Sequence, residues 1–499
     1  MDKAIKKGAV VSYIAILFNI FSALLYTPFL IRALGSSDYA VYTLTFSIVN
    51  YFSIDIGIGT SLARFISELK YHKKEYSQEQ LLAVVCKVFI FLSLLISILL
   101  ACFFPMLGSI YKGLSAAEME QIKSTYFWAA GTVIVSFLGK PLEGIFTANE
   151  LFAEYKIIVL VQKIVLISLS MGALLFDSKL VLLFVAAFVT ELLILVAKGY
   201  FLVYRNNFSI DISYWNFRLA KEILSFSLWI SIISFAQRFI TPFAPTILGV
   251  YSNSYEIALF SVAITLEGYV FTFASVLKGM FLPKVSEIIN KHKSWTLLQK
   301  LQNRMGKIQM LITTAFIAAF CVFGKEFIAI WSGKQYVNAF YAALLLMTPN
   351  IVYTAQQISE TALVVINEVK YRTFVYVLCA IFSVISCSLV AQNFGAIGVA
   401  FAISLSLWLF NIIGMTVVYK KVIQFDIKSF IKECCLSVLP PMIIFTVITS
   451  WINCFLPQGI LWLMVKGLVW LISLGGVCFL FVLNDDEKNY VKKKFVRRK

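Results

Sequence analysis

The sequence predicts an all-α, polytopic membrane protein of about fourteen transmembrane helices, and three observations carry that reading. The 499 residues are 60% hydrophobic and only 14% charged, with a mean hydropathy of +0.86. That is too apolar to cover a soluble core of this size. Apolar runs long enough to cross ~30 Å of hydrocarbon recur along the whole chain. Lys and Arg then alternate between successive loops: 30 of the 43 fall on one side, 6 on the other, and the rest within or at the ends of spans. Such a bias places both termini in the cytoplasm.

The spans read as 9–31, 40–63, 82–105, 126–147, 157–176, 180–203, 222–249, 256–280, 308–331, 339–365, 373–391, 396–419, 436–455 and 460–483. The fourth holds Lys140, Pro141 and Glu143; the tenth holds Asn350, Gln356, Gln357 and Glu360. The basic N-terminus leads into a run too long for a signal-peptide core, so it reads as the first span. The basic tail reads as an anchor near anionic lipid.

Several function classes are excluded at this level. The net charge of +17 is spread over short loops, not one continuous face, which argues against nucleic acid. With only His72 and His292, both in basic loops, a His-based metal site or catalytic triad is not expected, and no cofactor is called for. The nine Cys lie mostly scattered in apolar runs and read as small buried hydrophobes. External loops are short, the longest near 106–124, which argues against an enzyme acting on an exported glycan.

The chain repeats itself. Thr27-Pro28-Phe29 followed by Leu34-Gly35 returns as Thr241-Pro242-Phe243 followed by Leu248-Gly249. Each copy precedes a polar turn with a tyrosine, Ser37-Asp38-Tyr39 and Asn253-Ser254-Tyr255. Phe65-Ile66-Ser67-Glu68 answers Lys284-Val285-Ser286-Glu287, and Asn149-Glu150 answers Asn367-Glu368. The order and near-constant offset predict an N-terminal six-helix lobe (1–205), a cytoplasmic linker (206–219) and a C-terminal six-helix lobe (220–421). Residues 422–499 add two helices and the basic tail. An even number of spans per half makes the repeat parallel, with a pseudo-two-fold axis along the membrane normal, around a central cavity suited to rocking. Pro242 and Pro245 are expected to kink the seventh span; Pro28 marks the outer end of the first.

A charge deep in lipid costs at least ~2.5–3.5 kcal/mol, so it normally faces a cavity or a partner. Arg32, Lys140, Lys163 and Arg238 are the candidate cations of an anion-binding cavity, since Arg grips phosphate bidentately and Lys supplies a point charge. A structural pair of Lys140 or Lys163 with Glu143 or another acid is the competing reading. Asp55, Glu143, Glu191, Glu267 and Glu360 are the candidates for ion coupling or for charge pairing. Lys87, Lys278 and Lys466 read as span-end or isolated lysines able to snorkel.

The stretch from Lys7-Gly8-Ala9 to Tyr26-Thr27-Pro28-Phe29, then Leu34-Gly35-Ser36-Ser37-Asp38-Tyr39-Ala40-Val41-Tyr42, resembles the Wzx-type O-antigen flippases of the polysaccharide transport family. So do Asp55-Ile56-Gly57-Ile58-Gly59 with Arg64-Phe65, and Phe394-Gly395-Ala396-Ile397-Gly398-Val399-Ala400. These flippases belong to the multidrug/oligosaccharidyl-lipid/polysaccharide exporter superfamily. The resemblance implies a two-lobe fold with a cationic lumen in the bacterial inner membrane. It implies translocation of an undecaprenyl-pyrophosphate-linked oligosaccharide from the cytoplasmic to the periplasmic leaflet, coupled to an ion. Membrane lipid and other polysaccharide-assembly membrane proteins are the neighbours it suggests. A drug or cation exporter of the same superfamily and a peptidoglycan lipid precursor flippase remain open alternatives.

Overall fold

The structure, a computed structural model, describes residues 3–53, 62, 65–66, 69, 76–149, 151–176, 180–205, 211, 213–275, 281–482 and 488. It is 89% helical, with no strand among the described residues. Nine described helical segments are long and apolar enough to span a membrane. Their lipid face is legible in α2 (Gln78–Phe103), where Ile90, Phe91, Leu94 and Ile98 are exposed at helical spacing while Phe89, Ile96 and Leu100 are buried.

The chain divides into two compact units, Met1–Ala258 and Leu259–Lys499. The sequence repeat starts its second half near residue 220, whereas the first compact unit also takes in the seventh span. The reason is local. The helix α8 (Ala244–Tyr251) packs on α1 (Lys3–Asn50) and on the segment after α2. At Gly249 an added Cβ would lie 2.9 Å from the Tyr111 ring, so only glycine permits this approach.

In the first unit, α1 holds the first predicted span and the start of the second, joined at Gly35, whose φ of 76° and ψ of −176° break the helix. The expected polar turn at Ser37-Asp38-Tyr39 is instead helical, because glycine two residues earlier takes the required backbone without a Cβ penalty. Pro28 lies inside the helix without ending it. The expected long external loop is also mostly helix. After Leu107–Ile110, α3 (Ala116–Leu138) opens on a capping box in which Ser115 and Glu118 bond reciprocally. Then come α4 (Lys140–Ala148), α5 (Phe152–Phe176) and α6 (Leu180–Tyr200).

In the linker, the Ser213 hydroxyl and backbone N–H donate to Asp211 at 2.6 and 3.2 Å. These bonds hold its carboxyl below the usual range. Lys87 donates to the Tyr214 carbonyl at 3.2 Å, so it ties the linker to α2.

The seventh span is α7 (Phe217–Ile240) followed by α8, with the expected proline break at 241–243. The Pro242 carbonyl left by the break accepts from the hydroxyls of Ser47 (2.5 Å) and Tyr51 (3.4 Å) on the α1 side.

The second unit begins in α9 (Ser254–Ser275) and is organised on α10 (Trp295–Trp331), whose 37 residues run about 55 Å. The tenth span is three pieces, α11 (Ala339–Met347), α12 (Asn350–Ala355) and α13 (Gln357–Val365). Gln302 of α10 bridges the break at Gln356. Its amide donates to the Ala355 carbonyl and its Oε1 accepts from the Ser359 N–H at 2.9 Å. At Gly306 a Cβ would sit 2.7 Å from the same Ala355 carbonyl, so glycine lets α10 approach the break. The helix α14 (Val369–Ser406) carries two predicted spans joined at Gly395, whose φ is 52°.

The last two spans, α16 (Leu436–Asn453) and α17 (Ile460–Val477), expose most of their apolar surface, whereas α15 (Met415–Ile423) before them buries Met415, Tyr419 and Ile423. They dock through narrow stripes, Val438, Met442 and Phe445 on one and Lys466 and Trp470 on the other. Lys466 does not snorkel. It is 4% exposed and pairs with Glu326 of α10 at 2.6 Å.

Replacing Gln302 by Leu strands both backbone groups at the Gln356 break, and is expected to cost about 2–5 kcal/mol. Thermal unfolding of the purified protein in detergent should show the loss, and Gln302→Glu should destabilise as well, because it keeps the acceptor but loses the donor.

Candidate functional site

Within the first unit, α1, α3, α5 and α6 enclose a cavity of about 210 Å³. Its polar lining includes Asn50, Ser53, Ser136, Gln162, Thr190 and Glu191. Tyr42 and Ser170 also line it, and both are hydrogen-bonded to Tyr26. Side chains of this kind are tolerated inside apolar helices because they meet one another across the helix interfaces. Glu191 accepts a 2.6 Å bond from the Gln162 amide. Arg238 of α7, half-buried, donates from Nη2 to the Ser53 carbonyl at 3.0 Å, at the rim of this cavity.

The same short segment has a second face. Tyr51 and Phe52, adjacent to Ser53, line an apolar cavity of about 540 Å³ between α2 and α7. Residues 51–53 therefore lie between a polar and an apolar space, and Arg238 bonds the backbone there.

The acids divide by partner. Glu143 is held by two cations, Lys198 at 2.9 Å and Lys140 at 3.3 Å. Glu360 is held by Arg372 at 2.7 Å and by the Tyr353 hydroxyl at 3.3 Å. Glu191 and Glu267 have neutral amide partners instead, Gln162 and Asn350, both at 2.6 Å. Among the described residues neither of these two makes an ion pair. Glu191 nevertheless has Lys198, Glu143 and Lys140 as electrostatic neighbours. Two turns of α6 separate Glu191 from Lys198, about 10 Å along one face.

The cations divide too. Lys140 takes the structural pairing with Glu143. Lys163, half-buried on α5, has no hydrogen-bond or ion-pair partner among the described residues. Arg32 is exposed near the Gly35 break. Asp55 lies outside the described residues, as does Lys278. Sequence reasoning does not single out Lys198 and Arg372, whose places near span ends put them with the loop cations. It also missed Gln162, a lone amide in an apolar run, which is itself a usable sign of a buried polar partner.

The chain is thus multi-pass and helical, with broken spans and with Glu191 in an internal polar cavity. The chain belongs to the polysaccharide biosynthesis protein family, whose model matches residues 29–341. A "Putative O-antigen transporter" of Salmonella typhi is 36% identical over 129 residues, 25% of this chain and 28% of that protein. The chain thus matches under a third of that relative's length.

Among solved structures, lipid II flippase MurJ in an inward closed conformation aligns with a TM-score of 0.72 at 14% identity, covering 95% of this chain and 98% of that one. An inward-facing multidrug resistance MATE family transporter of the MOP superfamily aligns at 0.64 and 15% identity, covering 85% and 98%. A MOP superfamily transporter from Pyrococcus furiosus aligns at 0.59 and 15%, covering 85% and 96%. At these identities the likeness is one of fold.

Lys198→Met and Lys163→Met remove the same charge from different settings. The first breaks a buried pair and should cost about 3 kcal/mol, moderated by Lys140. The second breaks no pair and should change stability by less than about 1 kcal/mol. Chemical or thermal unfolding of the two variants side by side checks the contrast.

Proposed function

We propose that the protein is a flippase carrying an undecaprenyl-pyrophosphate-linked oligosaccharide, an O-antigen type repeat unit, from the cytoplasmic to the periplasmic leaflet of a bacterial inner membrane. It works by alternating access with both termini cytoplasmic. The observation that carries the reading is Arg238, anchored at the junction of a polar and an apolar cavity. A guanidinium in that position suits a pyrophosphate whose glycan and chain need opposite solvents. Family membership and the O-antigen transporter relative support the same substrate class. Lys163 is the second cation assigned to the anionic substrate; Lys140 and Arg32 have lesser claims, the first because Glu143 occupies it.

Ion coupling falls to Glu191 and Glu267. A carboxylate held only by a neutral amide can exchange a proton or a cation without breaking an ion pair, whereas Glu143 and Glu360 cannot.

Deletion of the gene should leave lipid-linked repeat units on the cytoplasmic face and remove surface glycan, with recovery on complementation. Arg238→Ala should lower export about tenfold or more, the loss of a charge-assisted contact of ~1.5–3 kcal/mol, at unchanged expression. Arg238→Lys should recover part of it. Glu191→Gln should flatten the dependence of export on an imposed proton or sodium gradient. Unchanged surface glycan in the deletion strain overturns the reading. Drug hypersensitivity there, with normal glycan, would reassign the protein to drug export.

A further inference from the structure

We infer that the apolar cavity between α2 and α7 is a binding site for the isoprenoid chain of a phosphorylated polyprenyl lipid, entered sideways from the bilayer. The inference rests on the flippase reading for the identity of the lipid and on the cavity for its position.

Eight of the fourteen lining side chains are aromatic, and the rest are aliphatic apart from Thr246. One wall is a ladder of rings on α7 and its break, with Phe235, Phe239 and Phe243 spaced 4.9 and 5.0 Å apart. Tyr51 closes one end, stacked at 6.2 Å on Phe239 and tilted at 5.1 Å to Phe243. The hydroxyls at that end are turned inward on one another. Tyr51 bonds Thr246, and Tyr111 reaches the same oxygen at 3.4 Å, so little polar surface faces the space. Such a cavity does not hold water well.

The opening is on the membrane side. Leu95 and Leu99 of α2 and Phe235 of α7 line the cavity and are 44%, 46% and 47% exposed. These helices lie within spans, so the exposed edge meets hydrocarbon and a chain enters without crossing water. The size fits a chain segment. An apolar cavity of about 150 Å³ takes one benzene ring, so 540 Å³ takes roughly twenty carbons, or about four isoprene units. Methyl-branched units fill a broad, ring-walled space better than a narrow unbranched chain does.

Charge complementarity selects the occupant. Arg238 lies between Phe235 and Phe239 on α7, and its partner Ser53 follows Phe52, which also lines the cavity. A chain seated there places an attached phosphate within reach of a guanidinium, which a zwitterionic phospholipid offers less strongly.

The test uses the full chain reconstituted in nanodiscs with a diazirine-bearing polyprenyl phosphate, adducts being mapped by mass spectrometry. Labelling is expected in 92–103 and 235–243, competed by unlabelled polyprenyl phosphate and not by an equal excess of phospholipid. Leu95→Trp fills the mouth from a lipid-exposed position where a larger apolar side chain is compatible with folding. It should cut that labelling roughly tenfold, the equivalent of two methylenes of lost burial. Phe239→Leu, which keeps the site apolar, should cut it less.

Adducts confined to other helices, or competition by phospholipid as effective as by polyprenyl phosphate, overturn the inference. So does undiminished labelling in Leu95→Trp. Normal glycan export with no labelling of the cavity sinks this site and leaves the flippase reading standing. Cavity labelling in a protein whose deletion leaves surface glycan intact keeps the site and sinks that reading.

Discussion

Every bend in these spans frees backbone groups that hydrocarbon cannot satisfy, and the molecule is organised by how neighbouring helices answer them. A span that stays regular closes its own hydrogen bonds; one that breaks needs donors or acceptors from elsewhere. The two breaks are answered in the same way by different chemistry. At Pro242 the carbonyl is taken by hydroxyls from α1, Ser47 and Tyr51. At Gln356 a single amide, Gln302 of α10, supplies both a donor and an acceptor. Each device pins a bent span to one neighbour, and in the first unit that neighbour also carries the end of the two cavities.

Charges obey the same requirement with a larger penalty, and the sorting of the acids follows from it. Glu143 and Glu360 lie at corresponding places in the fourth and tenth spans, and each is locked to a cation. Lys466 and Glu326 form a third such lock, nearly excluded from solvent, between the added helix α17 and α10. An ion pair at that depth is weak evidence for stability on its own, because desolvation offsets much of the attraction. It does fix register, since any slide of α17 would strand a charge. Outside these locks stand Glu191 and Glu267 on amides, Arg238 on a carbonyl, and Lys163 with no acid among the described residues.

The sequence made the spans legible because hydropathy is a sum over some twenty residues, and a sum tolerates local error. The break at Pro242 was legible for a different reason, proline's missing N–H being a property of one residue. The break at Gly35 was misplaced to the polar triplet that follows. Polarity suggests a turn, but the backbone angle selects glycine, and only coordinates show which requirement wins. Lys140 with Glu143 could be read from i,i+3 spacing. Lys198 with Glu143 could not, since 55 residues separate them and the contact depends on how α4 and α6 pack. Arg238 is singled out in the sequence by depth alone, and its carbonyl partner, Ser53, has no sequence signature at all.

Arg238 also has a purely structural reading, and the geometry joins it to the functional one. The α1 helix ends at Asn50 and two turn-type bonds carry the chain on to Ser53. A cation on a carbonyl just past a helix C-terminus complements the negative end of the helix dipole. That cap holds the guanidinium at the partition between the polar and apolar spaces instead of letting its long side chain sample both. A cap alone would be served by lysine, a point charge that can approach one carbonyl. The planar fork of arginine also matches the oxygens of a phosphate, which a lysine ammonium does not. On the proposed reading the structural contact is what suits the residue to binding, because a charge fixed in advance loses less freedom when the proposed lipid-linked phosphate reaches the same level.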